Sequence, residues 1–321
     1  MPRTASAPVD PLDSGSLDVG DGQSIYWETV GRADGLPAVW LHGGPGSGSS
    51  TTARRYFDPA VYRAVLLDQR GCGRSRPLAG EPSVDLTTNT TGHLIDDLER
   101  LREHLEIERW VVAGVSWGVT LALAYAQRHP ERVTGLVLGA VTTGSRREVE
   151  WLTRDMGRLL PEQWDRFVSL VSPDERNGDL TAAYGRLLAH RDLEVRQEAA
   201  QAWCTWEDAH VSLAPGWKPD PRYDDPTFRL VFARLVTHYW SHACFLADRQ
   251  LLAGMERLAA VPGVLIHGRY DISSPPDTAW RLHQAWPGSR LVLLDASHGG
   301  PGFAEAITEA LDTLALIESS R

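Results

Sequence analysis

Cysteine is scarce in this chain: Cys72, Cys204 and Cys244 are three residues in 321, with no close pair and no metal-type spacing. An odd and low count excludes a disulfide-stapled scaffold and fits a reducing, cytoplasmic setting. Long apolar runs are missing too. None approaches the roughly 20 residues that a membrane helix needs. There is no long basic run, and 42 acidic residues against 32 basic ones give a net charge of −10. That balance argues against nucleic acid or an anionic membrane as partner, and the acidity itself reads as solubility. The stretch from Met1 to Leu17 is rich in Pro, Ser and Asp but has no apolar core. This excludes a signal peptide and predicts a loose tail over 1–15. Internal repeats and low-complexity tracts are also absent.

What is present is enough apolar residue, 42%, for one large domain or a domain with an insertion. Short apolar runs predict strands at Ser24–Val30, Ala38–His42, Ala64–Asp68, Trp110–Ala113 and Val133–Gly139. Leu94, Ile95, Leu98, Leu101 and Leu105 fall at helical spacing, which predicts an amphipathic helix over about 91–106. Buried strands alternating with helices predict an α/β fold with a mainly parallel sheet covered on both faces. The character changes at Thr142. Trp151, Trp164, Trp203, Trp206, Trp217 and Trp240 lie in helical patterns, with a Pro-rich loop from Pro215 to Pro226. Strands resume at Gly263–Gly268 and Arg290–Leu294, and a helix from about Phe303 to Ile317 closes the chain. The pattern predicts a helical insertion over 142–255 between two parts of one core, 16–141 and 256–321. Taken singly these tryptophans read as core, but some must line whatever cavity the insertion encloses.

The chemistry starts at Gly114-Val115-Ser116-Trp117-Gly118. A β-branched run leads in and a helical pattern leads out, so the serine sits at the apex of a strand–turn–helix. This predicts a nucleophile elbow, with glycines where the backbone packs too closely for a Cβ. A serine hydroxyl needs a base, and the base needs an orienting carboxylate. In this topology the order is serine, acid, histidine. Asp271 follows the strand ending at Gly268, and His298 follows the strand ending at Leu294. Asp295 is closer to His298 in sequence but reads as a turn former. An oxyanion needs two donors. The N–H of Trp117 is one; Gly44, with Gly43 adjacent, supplies the other from His42-Gly43-Gly44-Pro45-Gly46. No lysine follows these glycines as it would in a phosphate-binding loop. His238 and His242 stand four apart, yet no third ligand stands at motif spacing, so no metal site is expected.

Together, His42–Gly46, Asp68-Gln69-Arg70-Gly71-Cys72-Gly73-Arg74-Ser75, the Ser116 elbow, Gly268-Arg269-Tyr270-Asp271 and Ser297-His298 resemble the proline iminopeptidases of the α/β-hydrolase superfamily. The resemblance covers about Ser16 to Ile317. It implies an α/β-hydrolase fold with a helical cap. The implied activity is release of an N-terminal proline from a peptide or proline amide, without metal or cofactor. It also implies that carboxylates in the cap read the substrate's free amine. One lies in a Trp-Glu pair, matched by Trp206-Glu207; a second precedes a run that resembles Thr237-His238-Tyr239-Trp240, where this chain has Val236. Glu207, Trp240, Trp206 and Val236 are thus the expected substrate-binding positions. Thr142 and Ser274 replace an aromatic and a cysteine usual in the family.

The leading expectation is a serine hydrolase acting through an acyl-enzyme on a small peptide or amide. Its rival is an esterase, amidase or acyl-transfer enzyme for a specialised small molecule, which the Val236 departure feeds. A non-catalytic binding protein on the same fold is disfavoured, because the whole triad and the glycine loop are retained.

Overall fold

The apolar runs pair into one eight-stranded sheet in the computed structural model, which describes residues 10–211, 213 and 217–319. The strands are β1 (Asp13–Gly20), β2 (Gln23–Gly31), β3 (Leu36–Leu41), β4 (Tyr62–Asp68), β5 (Trp110–Val115), β6 (Val133–Gly139), β7 (Gly263–Gly268) and β8 (Ser289–Leu294). Their spatial order is β1-β2-β4-β3-β5-β6-β7-β8. β2 runs antiparallel to β1 and to β4, while the pairs from β4 through β3 to β8 are all parallel.

Neighbouring residues of one strand point to opposite faces, and both faces are covered. Val39 and Leu41 of β3 and Val112 of β5 pack with α1 (Thr91–His104) and α2 (Trp117–Arg128). Ala38 and Trp40, with Val111 and Ala113, pack on the other side with the C-terminal helix. Between β6 and β7 lie α3 (Arg146–Thr153), α4 (Pro161–Ser169), α5 (Leu180–Leu188), α6 (Leu193–Val211), α7 (Pro226–Ser241) and α8 (Gln250–Ala253). The apolar faces of α3 to α7 form a third cluster around Trp203, Phe167 and Tyr184, while Leu251 of α8 packs into the core of the sheet. α9 (Asp277–Ala285) separates β7 from β8, and α10 (Phe303–Ser319) ends the described chain.

One expectation changes. The tail expected over 1–15 is shorter, because the Leu12 N–H donates to Thr29 O at 2.7 Å and Asp13 opens β1. β1 is an edge strand with mostly exposed or half-buried side chains, so backbone pairing rather than an apolar face holds it. Its Asp, Ser and Gly residues therefore read as loose chain. Residues 1–9 of that tail, and Pro215 of the Pro-rich loop, lie outside the described residues.

Parallel strands send their following loops to the same edge of the sheet. The loops after β3, β5, β7 and β8 carry His42–Gly46, Ser116, Asp271 and His298, which is where open α/β sheets place their sites.

Candidate active site

Ser116 joins β5 to α2 with φ 54° and ψ −123°, a strained conformation for a residue with a side chain. The flanking glycines follow from crowding. A Cβ on Gly118 would stand 2.1 Å from the Leu41 carbonyl oxygen, and one on Gly114 2.8 Å from the Gly118 oxygen. Only bare backbone lets the helix start this close to β3, and that closeness turns the serine outward.

Ser116 Oγ lies 3.0 Å from His298 Nε2, and His298 Nδ1 lies 2.8 Å from Asp271 Oδ2. The buried Asp271 also accepts from the Ser274 N–H at 2.9 Å through Oδ1. Burial alone would raise its carboxyl, but His298, His267 and the Ser274 amide together hold it below the usual carboxylate range. Burial likewise pulls His298 down, yet Asp271 outweighs it and the imidazole is held above its ordinary value. Asp295 is exposed and faces Arg269 at 3.5 Å, away from this chain of contacts.

The sequence reading did not single out His267, and it noted Ser274 and the Asp68–Ser75 run without their structural roles. His267 Nδ1 accepts from the Val141 N–H at 2.9 Å, so its Nε2 carries the proton and donates to Ser274 O at 2.7 Å. Ser274 Oγ donates to Val141 O at 2.6 Å. Ser274 thereby fixes the acid loop against the end of β6. The Asp68–Ser75 run has a similar task on the other side. Asp68 accepts from the N–H groups of Ser49 at 2.7 Å and Arg74 at 2.8 Å and from Arg74 Nε at 2.7 Å. Gln69 gives its N–H to His42 Nε2 at 3.0 Å and its side-chain amide to His42 O at 3.1 Å. Its Oε1 accepts from Trp117 Nε1 at 2.8 Å. One glutamine thus ties the glycine loop to the residue after the serine. Among the described residues no acceptor takes the backbone N–H of Gly44 or of Trp117.

A pocket of about 60 Å³ opens above Ser116. Gly44, Trp117, Trp240, Glu207 and His210 are among the residues that line it. Among the described residues Glu207 is the one carboxylate in that lining. It is buried, accepts from Trp203 Nε1 at 3.2 Å, and burial pushes its carboxyl up to about 7. Trp206 and Val236, both expected in the pocket, do not line it. The Trp206 ring stacks on Phe167 at 5.2 Å and donates to Leu152 O at 3.2 Å. Val236 is fully buried in the apolar cluster of the inserted helices. Both lie on amphipathic helices whose rotation about the axis is set by packing, which motif spacing does not report. Thr142 and Ser274 do line the pocket. His238 and His242 lie elsewhere: His238 Nε2 faces Asn89 O at 2.9 Å and His242 Nδ1 faces His238 O at 2.8 Å. Beyond Gly144 a larger cleft of about 660 Å³ opens, bordered by Arg147, Asp277 and Arg281, and none of the Ser116–His298–Asp271 chain reaches it.

The chain was compared with known families and proteins. Residues 39–301 match the model of the alpha/beta hydrolase fold family. A probable proline iminopeptidase of Streptomyces coelicolor is 52% identical over 96% of this chain and 96% of its own length. The proline iminopeptidase of Arabidopsis thaliana is 42% identical over 96% of this chain and 81% of its own. The crystal structure of proline iminopeptidase from Mycobacterium smegmatis superposes with a TM-score of 0.67 at 21% identity, over 95% of this chain and all of that one. The chain therefore belongs to the proline iminopeptidase family of the α/β-hydrolase superfamily.

Proposed function

We propose that the protein is a serine hydrolase that releases N-terminal proline from small peptides or proline amides. The observation that carries this reading is a Ser–His–Asp chain of 3.0 and 2.8 Å beneath a pocket holding one buried carboxylate. In the proposed mechanism neutral His298 takes the Ser116 proton as Oγ attacks the prolyl carbonyl. Asp271 orients the ring and stabilises its cation. The N–H groups of Trp117 and Gly44 receive the oxyanion. His298 then protonates the leaving amine, and a water activated by the same ring hydrolyses the acyl-enzyme. Glu207 pairs with the substrate's ammonium, which loses its hydration on entering a pocket walled by Trp240 and Leu152.

The inserted segment 142–255 acts as a cap over the strand ends of a core made of 16–141 and 256–321. A cytoplasmic setting is supported by three cysteines that are all free and buried. Among the described residues no helix is long and apolar enough to cross a membrane.

A second reading is an esterase or amidase for a specialised small molecule. It is favoured by the place of Val236, which leaves Glu207 alone to meet an amine. A panel of prolyl, alanyl and acetyl p-nitrophenyl substrates separates the two. The first reading expects prolyl p-nitroanilide to lead and Ser116→Ala to lose both turnover and fluorophosphonate labelling. A preference for the acetyl ester with no turnover of the prolyl amide favours the second. Turnover by Ser116→Ala near the wild-type rate overturns both.

A further inference from the structure

His210 stands one turn after Glu207 on α6, and the hydrogen bonds around it fix its proton. Ser273 Oγ donates its single proton to the His210 carbonyl at 2.8 Å. His210 Nδ1, 2.7 Å from Ser273 Oγ, must therefore carry a proton and donate to that hydroxyl oxygen. This leaves Nε2 as the lone-pair nitrogen. It is buried, has no hydrogen-bond partner among the described residues, and lies 3.4 Å from Glu207 Oε2. A lone pair against a carboxylate is repulsive unless a proton or a cationic donor stands between them.

We propose that His210 Nε2 is the second acceptor for the substrate's amine: the prolyl ammonium has two N–H bonds, and Glu207 Oε2 takes one while His210 Nε2 takes the other. This rests on the aminopeptidase reading above and deepens it. The single carboxylate of the pocket meets one N–H well; the second would otherwise be buried unpaired at a cost. Glu207 and His210 both line the pocket over Ser116, so an amine bound between them lies beside the carbonyl that Oγ attacks.

In the free protein a proton holds the ammonium's place. Burial pushes Glu207 up to about 7 and His210 down to about 3, so near neutrality the shared proton sits on the carboxyl. The other groups facing the pair are His298 after β8, Asp271 after β7, Asp208 and Cys204 on α6, and Tyr223 on the turn before α7. α3 offers it the apolar Leu152, and α7 the uncharged Trp240. When the ammonium enters, the Glu207 proton leaves to solvent and the ammonium keeps both of its own. Binding below pH about 7 thus releases one proton per substrate.

The test compares prolyl p-nitroanilide, N-methylprolyl p-nitroanilide, whose ammonium has one N–H, and p-nitrophenyl acetate. These are measured on the wild type, Glu207→Gln, His210→Ala and His210→Gln. A lost hydrogen bond to a charged group is worth about tenfold or more. His210→Ala is expected to lower the prolyl-to-acetate ratio of kcat/KM by at least about tenfold, chiefly through KM, and His210→Gln to recover part of it with its amide oxygen. N-methylation should weaken the wild-type substrate by about tenfold and matter little to His210→Ala, because the second acceptor is already gone. If Glu207→Gln lowers the ratio and His210→Ala leaves it unchanged, His210 is no acceptor and the aminopeptidase reading survives. If neither variant lowers it, both fall. Should His210→Ala fail to fold, a wild type that turns over N-methylprolyl and prolyl substrates equally well overturns the proposal on its own.

Discussion

In the proposed reading Glu207 sets binding against stability. Its carboxyl gives up its proton near 4.5 in the unfolded chain and near 7 in the folded one, because folding buries it. Between those values the folded protein holds more protons, so stability falls as pH rises from about 4.5 to about 7 and stays low above. The loss is on the order of 3 kcal/mol. Glu207→Gln removes this titration. Thermal scans should find its Tm close to wild type at pH 5 and about 5 °C higher at pH 8, while its kcat/KM for prolyl substrates drops about tenfold or more. A Tm at pH 8 no higher than wild type would refute the burial argument. His298, the proposed base, is the opposite case, a group that must be neutral to act. Asp271 holds it above its ordinary value against the pull of burial. The acid limb of kcat/KM should therefore lie above pH 6.5, and Asp271→Asn should move it lower while slowing the reaction. A limb that stays in place in Asp271→Asn would count against the pairing. The three side chains brought together at Ser116, His298 and Asp271 were legible in the sequence because strand order fixes which loops carry them. The structural roles of Gln69, His210 and Ser274 were not. Gln69 and Trp117 are 48 positions apart, and their hydrogen bond exists only through the pairing of β3 with β4 and β5.

The elbow depends on how closely two elements approach. With the Leu41 oxygen 2.1 Å from a Cβ at position 118, a single methyl must push α2 off β3. Gly118→Ala should give insoluble protein, or folded protein without fluorophosphonate labelling. Soluble, labelled and active protein would refute the crowding argument. Element boundaries were readable where both faces of a strand are buried. β6 and β7 begin and end where the apolar runs predict, because glycine or a turn bounds each run. β1 escaped for the reverse reason, being held by its backbone. The inserted helices were recognisable as helical, but their faces were not. α6 runs 19 residues with tryptophans and alanines on several sides, and only packing against α5 and α7 decides that Trp203 turns inward while Glu207 reaches the pocket.

Across the whole molecule, buried ion pairs join segments that are distant in sequence. Arg70, fully buried, grips Asp97 of α1 at 2.5 and 2.8 Å and reaches Asp21 of the β1–β2 turn at 3.1 Å. Burial still raises the Asp97 carboxyl despite this partner. Arg70→Ala would leave the buried Asp97 with only the 3.5 Å contact to the half-exposed Arg100, and denaturant unfolding should register a loss of about 3–5 kcal/mol. A loss below about 1 kcal/mol would mean that the site rehydrates. The inserted helices are tied down at several points. Trp151 Nε1 donates to Ile272 O at 2.7 Å, and Arg234 donates to the carbonyls of Ala79, Glu81 and Val84. Thr91 Oγ1 donates to Cys244 O at 2.5 Å. Cys244, like Cys72 and Cys204, is buried, and burial holds all three thiols well above their usual value. The folded protein thus offers no thiol to a reagent in solvent. A dye attached through a cysteine introduced at the exposed Leu159 would mark that site alone. The native chain is in this sense a ready background for following a dye on the inserted helices, with no cysteine to remove first.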